Sequence, residues 1–243
     1  LYGGTFALAS QELKRLGIAH DFTAPDTDSL QQGLRDNTRM VFVESPSNPL
    51  LRVVDLAAVA ALAAPRGVIT VIDNTFATPI LQNPLELGFD LVMHSGTKYL
   101  AGHSDLICGA VSGAREFIDR VRDYSVNHGG CLNAQDCHLL ERSLKTLELR
   151  VRRQSDNAAV IARALEDHER VDCVYYPGLA SHPGHAVAAR QMTGFGGMLS
   201  FELDDGIDPL RFLRSLQLVN CAISLGGVET TICQPVATSH AKM

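Results

Sequence analysis

One stretch, Val68 to Gly102, constrains this chain more than any other: VITVIDNTFATPILQNPLELGFDLVMHSGTKYLAG. Its β-branched opening ends on an acid, Asp73, and a second apolar run ends in His94-Ser95-Gly96-Thr97-Lys98. The β-branched composition predicts a strand, and Pro84 to Gly88 between the runs reads as a short helix. Strands joined through a helical connection pair in parallel. Open α/β sheets hold their ligands at the carboxyl ends of such strands, and Asp73 and Lys98 would meet there.

The flanking sequence extends the pattern. Met40 to Glu44 is a continuous apolar strand stopped by Ser45-Pro46-Ser47-Asn48-Pro49, Asp55 caps an alanine-rich helix through Ala64, and Gly67 breaks it. Leu106 to Ser112 is a further apolar run. Strand and helix in alternation predict an α/β fold, with a mainly parallel sheet covered by helices on both faces. From Asn133 to about Asp167 the leucine spacing is helical almost without break. A helix of that length commonly bridges two domains, so the chain divides into a large domain, 1–148, and a smaller α/β domain, 149–243. The smaller one would hold strands at Val171 to Tyr175 and Gly197 to Leu203 and a helix at Asp208 to Leu216.

Bulk properties narrow the function. With 46% hydrophobic residues and 243 residues in all, a sizeable core is within reach. A net charge of −6, without a run of lysine and arginine, argues against nucleic acid as a partner. The longest apolar run, Leu56 to Pro65, is too short to span a bilayer, so no membrane association is expected. The six cysteines are scattered without a framework and read as reduced thiols of a cytoplasmic protein. His182-Pro183-Gly184-His185 and the group Cys131, Cys137 and His138 lack zinc-site spacing, so no metal is expected and the histidines read as surface or interface groups. Gly194-Phe195-Gly196-Gly197 follows no strand and opens no helix, unlike a dinucleotide fingerprint.

The remaining chemistry is specific. An unpaired carboxylate at the buried end of a strand is expensive, and a protonated ring nitrogen would satisfy Asp73. A lysine whose pKa is lowered by desolvation offers a free amine to an aldehyde. Ser95 and Thr97, flanking Gly96, can hold a phosphate with hydroxyls and backbone N–H groups. Aldehyde, basic ring nitrogen and phosphate together describe pyridoxal 5'-phosphate (PLP).

Five motifs then stand in order: Tyr2-Gly3-Gly4-Thr5, Glu44 to Pro49, Asp73-Asn74-Thr75, Ser95 to Tyr99 followed by Gly102-His103-Ser104-Asp105, and Ser224-Leu225-Gly226-Gly227. Together they resemble the Cys/Met-metabolism family of PLP-dependent enzymes, which includes cystathionine γ-synthase, cystathionine β- and γ-lyases and methionine γ-lyase. The resemblance implies the PLP-dependent transferase-like fold type I. It makes Lys98 the Schiff-base lysine, Asp73 the partner of the ring nitrogen, and Ser95 and Thr97 the phosphate ligands. Tyr2 would stack on the ring and carry protons near the leaving group. Asn48 and Ser224 would lie near the cofactor oxygen and the substrate carboxylate. A homotetramer, built as a dimer of dimers, is implied as well.

Three of the family's features are missing: the upstream glycine-rich phosphate contact, a Tyr-x-Arg lent by a neighbouring subunit, and a late arginine for the substrate carboxylate. The chain, which has no initiator methionine or signal peptide, therefore reads as a piece of a longer protein. Within the family the expected reaction is carbon–sulfur lysis of a small sulfur amino acid, by β- or γ-elimination to 2-oxo acid, ammonia and thiol. The apolar Ile223 stands where cystathionine-handling members often carry glutamate or tyrosine. Against a methionine γ-lyase, Gly4 stands where those enzymes have cysteine. Val174 to Leu179 and Arg190 to Gly197 are similar to plant-type cystathionine γ-synthase, which keeps γ-replacement as the alternative. A catalytically silent structural subunit is the reading from another class.

Overall fold

The computed structural model describes residues 1–237, so the last six residues of the expected small domain lie outside the described part. In chain order the helices are α1 (Gly3–Ala7), α2 (Thr27–Gly33), α3 (Leu56–Ala63), α4 (Thr78–Leu81), α5 (Arg115–His128), α6 (Ala134–Leu144), α7 (Leu147–Glu166), α8 (His185–Gln191) and α9 (Pro209–Ser215). The strands are β1 (Met40–Glu44), β2 (Ile69–Asp73), β3 (Leu91–Ser95), β4 (Gly109–Gly113), β5 (Val171–Tyr175), β6 (Ser200–Leu203), β7 (Asn220–Cys221) and β8 (Thr231–Ile232).

The main sheet runs in the order β1-β2-β3-β4. The first three strands are parallel and β4 returns antiparallel beside β3. Its start is pinned by Asp90, whose Oδ2 accepts from the Thr70 N–H and hydroxyl, while the Asp90 N–H donates to Thr70 Oγ1. These bonds tie the beginnings of β2 and β3 together before either strand reaches the site.

Both faces of the sheet are covered by clusters of different origin. On one face Val41, Val68, Ile72 and Val92 pack against Leu56, Val59, Ala60 and Ala63 of α3. That spacing of 3, 4 and 7 is one stripe of a helix, and Asp55 starts it by accepting the Ala58 N–H at 3.2 Å. Each fully buried Leu or Val contributes roughly 1.5–3 kcal/mol. A second cluster joins Ala77, Leu81, Tyr99 and Leu100 to Leu147 and Val151 of α7 and to Ala188 and Met192 of α8. Further along α7, Ala158 and Ala162 pack with Val174, Tyr176 and Leu179. One helix stripe (147, 151, 158, 162) thus supports two clusters.

The expected single helix over 133–167 is two helices with a break at Lys145–Thr146. The cause is tertiary. α6 packs through Leu139 and Leu140 on Ala101, Leu106 and Cys108, whereas α7 packs on Tyr99 and Leu100. The Ser143 carbonyl at the break accepts from Arg150 Nη2 at 3.0 Å, and Arg150 Nη1 donates to the Tyr99 carbonyl at 2.8 Å. α5 was not expected, although Phe117, Ile118, Val121 and Tyr124 recur on one face of it; none of its residues is fully buried. The strand expected from Gly197 begins only at Ser200, and the N-terminal helix begins at Gly3 and passes into a wider π-helical segment, Leu8–Leu13.

Below β2 and β3 lies a buried polar network. Asn74 Nδ2 donates to the carbonyls of Thr78 and Gln82 and to His94 Nε2. Gln82 Nε2 donates to Asn74 Oδ1 and the Ser45 carbonyl, and Gln191 of α8 donates to Gln82 Oε1. His94, 7% exposed, must be neutral to accept from Asn74, and burial lowers its pKa to about 4. A depressed histidine contributes stability above its unfolded pKa of about 6.5 that is lost as pH falls through the folded value. Burial raises Asp73 and Glu44 instead, which acts in the opposite sense. The difference between wild type and His94→Gln isolates the histidine. Chemical denaturation should show the variant's stability falling less between pH 6.5 and 4, by up to about 3 kcal/mol.

Candidate active site

Residues alternate between faces along a strand. Since Val41, Val43, Ile72 and Val92 face α3, Glu44, Asp73 and Ser95 all project from the opposite face. They are the last residues of β1, β2 and β3, three parallel strands, so they share one edge as well as one face. Glu44 and Asp73 are direct register partners. Two carboxylates, each 8% exposed, therefore sit side by side.

Thr75 and backbone amides hold them. Asp73 Oδ1 accepts from the Thr75 N–H at 3.0 Å and from its hydroxyl at 2.5 Å. The same hydroxyl accepts the Ser95 N–H at 2.8 Å, so Thr75 links the ends of β2 and β3. Burial raises the Asp73 carboxyl, and the two Thr75 bonds hold it back. Burial also raises Glu44. The Asn48 N–H and the Tyr2 N–H pull it down, while the negative charge of Asp73 pushes it further up.

Past β3 the chain turns tightly through Gly96. A Cβ at that position would lie 2.3 Å from Cys108 Sγ, so any side chain there would have to displace the Cys108 thiol. Lys98 follows the turn, its N–H donating to the Ser95 carbonyl, and its Nζ donates to Ser224 Oγ at 3.3 Å. Burial lowers the Lys98 pKa, which increases the fraction present as free amine. Ser224 comes from the far end of the chain. Its approach depends on Gly226, at φ +80°, where a Cβ would lie 2.5 Å from the Tyr99 nitrogen and 2.7 Å from the Lys98 carbonyl carbon.

All eight residues expected from the sequence line one cavity of about 1270 Å³: Tyr2, Asn48, Asp73, Ser95, Thr97, Lys98, Ile223 and Ser224. They do not all present what was expected. The Thr97 hydroxyl accepts the Cys108 N–H at 3.0 Å and leans on its carbonyl, so it braces the loop as much as it faces the cavity. Tyr2 is 48% exposed and Ile223 74% exposed. His182 is buried, not at the surface, and its Nδ1 accepts the Gly184 N–H. Sequence reading missed the parts played by Glu44 and Gly226. The signal for Glu44 was present, because it ends an apolar strand as Asp73 does; Gly226 acts through a contact that no local pattern encodes.

Comparison with known proteins agrees with this geometry. The family model described as Cys/Met metabolism PLP-dependent enzyme matches residues 1–243. Cystathionine beta-lyase of Lactococcus lactis subsp. cremoris (strain MG1363) is 44% identical over 245 residues, covering 100% of this chain and 64% of the relative. The crystal structure of cystathionine gamma-lyase from Lactobacillus plantarum, complexed with L-serine, superposes with a TM-score of 0.95 at 40% identity, over 99% of this chain and 64% of that one. Cystathionine gamma synthase from Xanthomonas oryzae pv. oryzae, in complex with aminoacrylate and cysteine, gives 0.93 at 44% identity, over 100% and 63%. The chain belongs to the Cys/Met-metabolism family of PLP-dependent enzymes, with fold type I architecture, and spans about two thirds of the length of these relatives.

The donor set fits the family's cofactor: a buried carboxylate for a ring N–H, a desolvated amine for an aldehyde, and a serine–glycine–threonine turn for a phosphate. Gly226→Ala tests how the site closes. The added methyl meets backbone atoms at a positive-φ position, so the variant should lose about 1–3 kcal/mol of stability in denaturant titrations. It should also bind PLP more weakly, as read by absorbance, because the Ser224 segment is pushed off Lys98.

Proposed function

We propose that this chain forms the greater part of a PLP-dependent carbon–sulfur lyase acting on a small sulfur amino acid of the cystathionine, homocysteine or methionine type. The observation that carries the reading is the Lys98 Nζ contact with Ser224 Oγ in the cavity that Asp73 also lines. Lys98 would hold the aldehyde of PLP, and its free amine would accept the proton from the substrate Cα. PLP, when bound, supplies the sink for the electron pair released at Cα. Asp73 holds the ring nitrogen protonated, and Ser95 and Thr97 hold the phosphate. Tyr2 stacks on the ring and protonates the departing thiolate, and Asn48 and Ser224 orient the cofactor oxygen and the substrate carboxylate. The large unit, 1–148, carries most of these groups, and the smaller, 149–243, brings Ser224. We extend the proposal to a cytoplasmic homotetramer, built as a dimer of dimers.

Elimination is favoured over replacement by Ile223, an exposed apolar side chain on the cavity wall with no charge to address a distal amino acid group. γ-Replacement remains the second reading, supported by the 44% identity to the Xanthomonas synthase.

The test is the visible absorption spectrum with added PLP, beside Lys98→Ala. The wild-type protein should turn yellow and, after borohydride, carry the cofactor on Lys98; the variant should not. Turnover by the variant should fall by about a hundredfold or more. A lyase releases 2-oxo acid from the sulfur amino acid alone, whereas a synthase requires a homoserine ester plus cysteine. If wild type stays colourless, this chain does not hold the cofactor as it stands, and the silent-subunit reading gains over the enzyme reading.

A further inference from the structure

Glu44 has no assigned part in the chemistry above, yet it is the most unusual group at the site's edge. It is a carboxylate 8% exposed, in register beside a second carboxylate, Asp73. Such a placement is costly for both groups, and a neutral side chain of similar shape would avoid the cost. What the charge accomplishes is visible in its hydrogen bonds. One oxygen, Oε2, accepts the Tyr2 N–H at 2.6 Å; the other, Oε1, accepts the Asn48 N–H at 2.8 Å.

These two amides belong to residues that line the cavity from different parts of the chain. Tyr2 leads into α1, and Asn48 lies in the loop after β1. The Tyr2 bond crosses 42 positions of sequence. The Asn48 loop is held on its other side by Ser45, whose hydroxyl accepts the Val54 N–H and whose carbonyl accepts from Gln82. The Tyr2 segment has less behind it: α1 buries none of its residues and Tyr2 is half exposed. Two acceptors are needed at one point. Glutamine would offer one oxygen and set its NH₂ against the other N–H, and aspartate is one methylene too short to span both.

We propose that Glu44 is a positioning residue that clamps the backbone of Tyr2 to that of Asn48, and so sets the Tyr2 ring and the Asn48 amide over the Asp73 end of the cofactor site. The inference rests on the roles given to Tyr2 and Asn48 under the proposed function. Glu44 touches neither cofactor nor substrate in this scheme and acts through the two residues it holds.

A merely structural glutamate would lower stability throughout the sheet; a clamp acts locally and through Tyr2. Two measurements on this chain separate them. The first is amide hydrogen exchange in the cofactor-free protein. Glu44→Gln should speed exchange at Tyr2 and Asn48 while leaving β2 and β3 amides such as Ile72 unchanged. The second is a cycle of PLP affinity, read by absorbance, over wild type, Glu44→Gln, Tyr2→Ala and the double variant. Each single change should weaken binding about tenfold, and the double change about tenfold as well, because Tyr2→Ala removes what Glu44 holds. Unchanged exchange at both amides, equal acceleration across the sheet, or multiplicative losses near a hundredfold would each overturn the clamp. If Glu44→Gln fails to fold, that too shows a structural residue and overturns it. If wild type takes up no PLP, the proposed function falls and takes the positioning role with it. Uptake by wild type with an additive cycle removes the positioning role alone.

Discussion

The site depends on the in-register parallel pairing of β1, β2 and β3. Side chains alternate with a period of two, so a slip of one residue in any strand would turn its last side chain toward α3. Glu44 and Asp73 stand beside each other because Val43 pairs with Ile72 and Val41 with Thr70. The apolar partners fix that register by burying Val41, Ile72 and Val92 against α3. Asp90 and Thr70 fix it again at the opposite end of the strands. Hydrophobic packing on one face of the sheet thus decides where charge appears on the other.

Gathering charge in one place has a cost, and the structure meets it with short-range hydrogen bonds from fixed backbone groups. Thr75 serves Asp73 from two residues away, and the Asn48 amide serves Glu44 from four. Below them the Asn74, Gln82 and His94 network leaves its members bonded to one another and to carbonyls. Preorganised groups of this kind need little rearrangement when a ligand arrives, which is where an electrostatic site gains most. Lys98 lies at the open side of the same edge, and its partial burial favours the amine.

The far end of the chain closes the site. Ser224 reaches Lys98 across 126 positions, and Gln154 of α7 helps by donating to the Gly227 carbonyl at 2.7 Å. Gly226 allows the two backbones to touch. α7 is the beam for this arrangement. Its first half packs on the residues after Lys98, and its second half packs on the β5 side.

Much of this was legible in the residues alone. The β-branched runs, the acids that end β1 and β2, the Asp55 cap and the serine–glycine–threonine–lysine turn are local patterns, and local patterns survive in one dimension. The break at Lys145–Thr146 was not legible, because the leucine spacing continues across it and only packing on two different clusters divides the helix. Nor was the commitment of the Thr97 hydroxyl to the Cys108 backbone, or the burial of His182. The sequence by itself determined which strands form, which residue types end them and hence which chemistry the sheet edge can support. Tertiary structure decided that Glu44 lies beside Asp73 and joins Tyr2 to Asn48, and that Ser224 meets Lys98. Those are contacts between distant segments, set by register and close packing rather than by any pattern within reach of a single turn or strand.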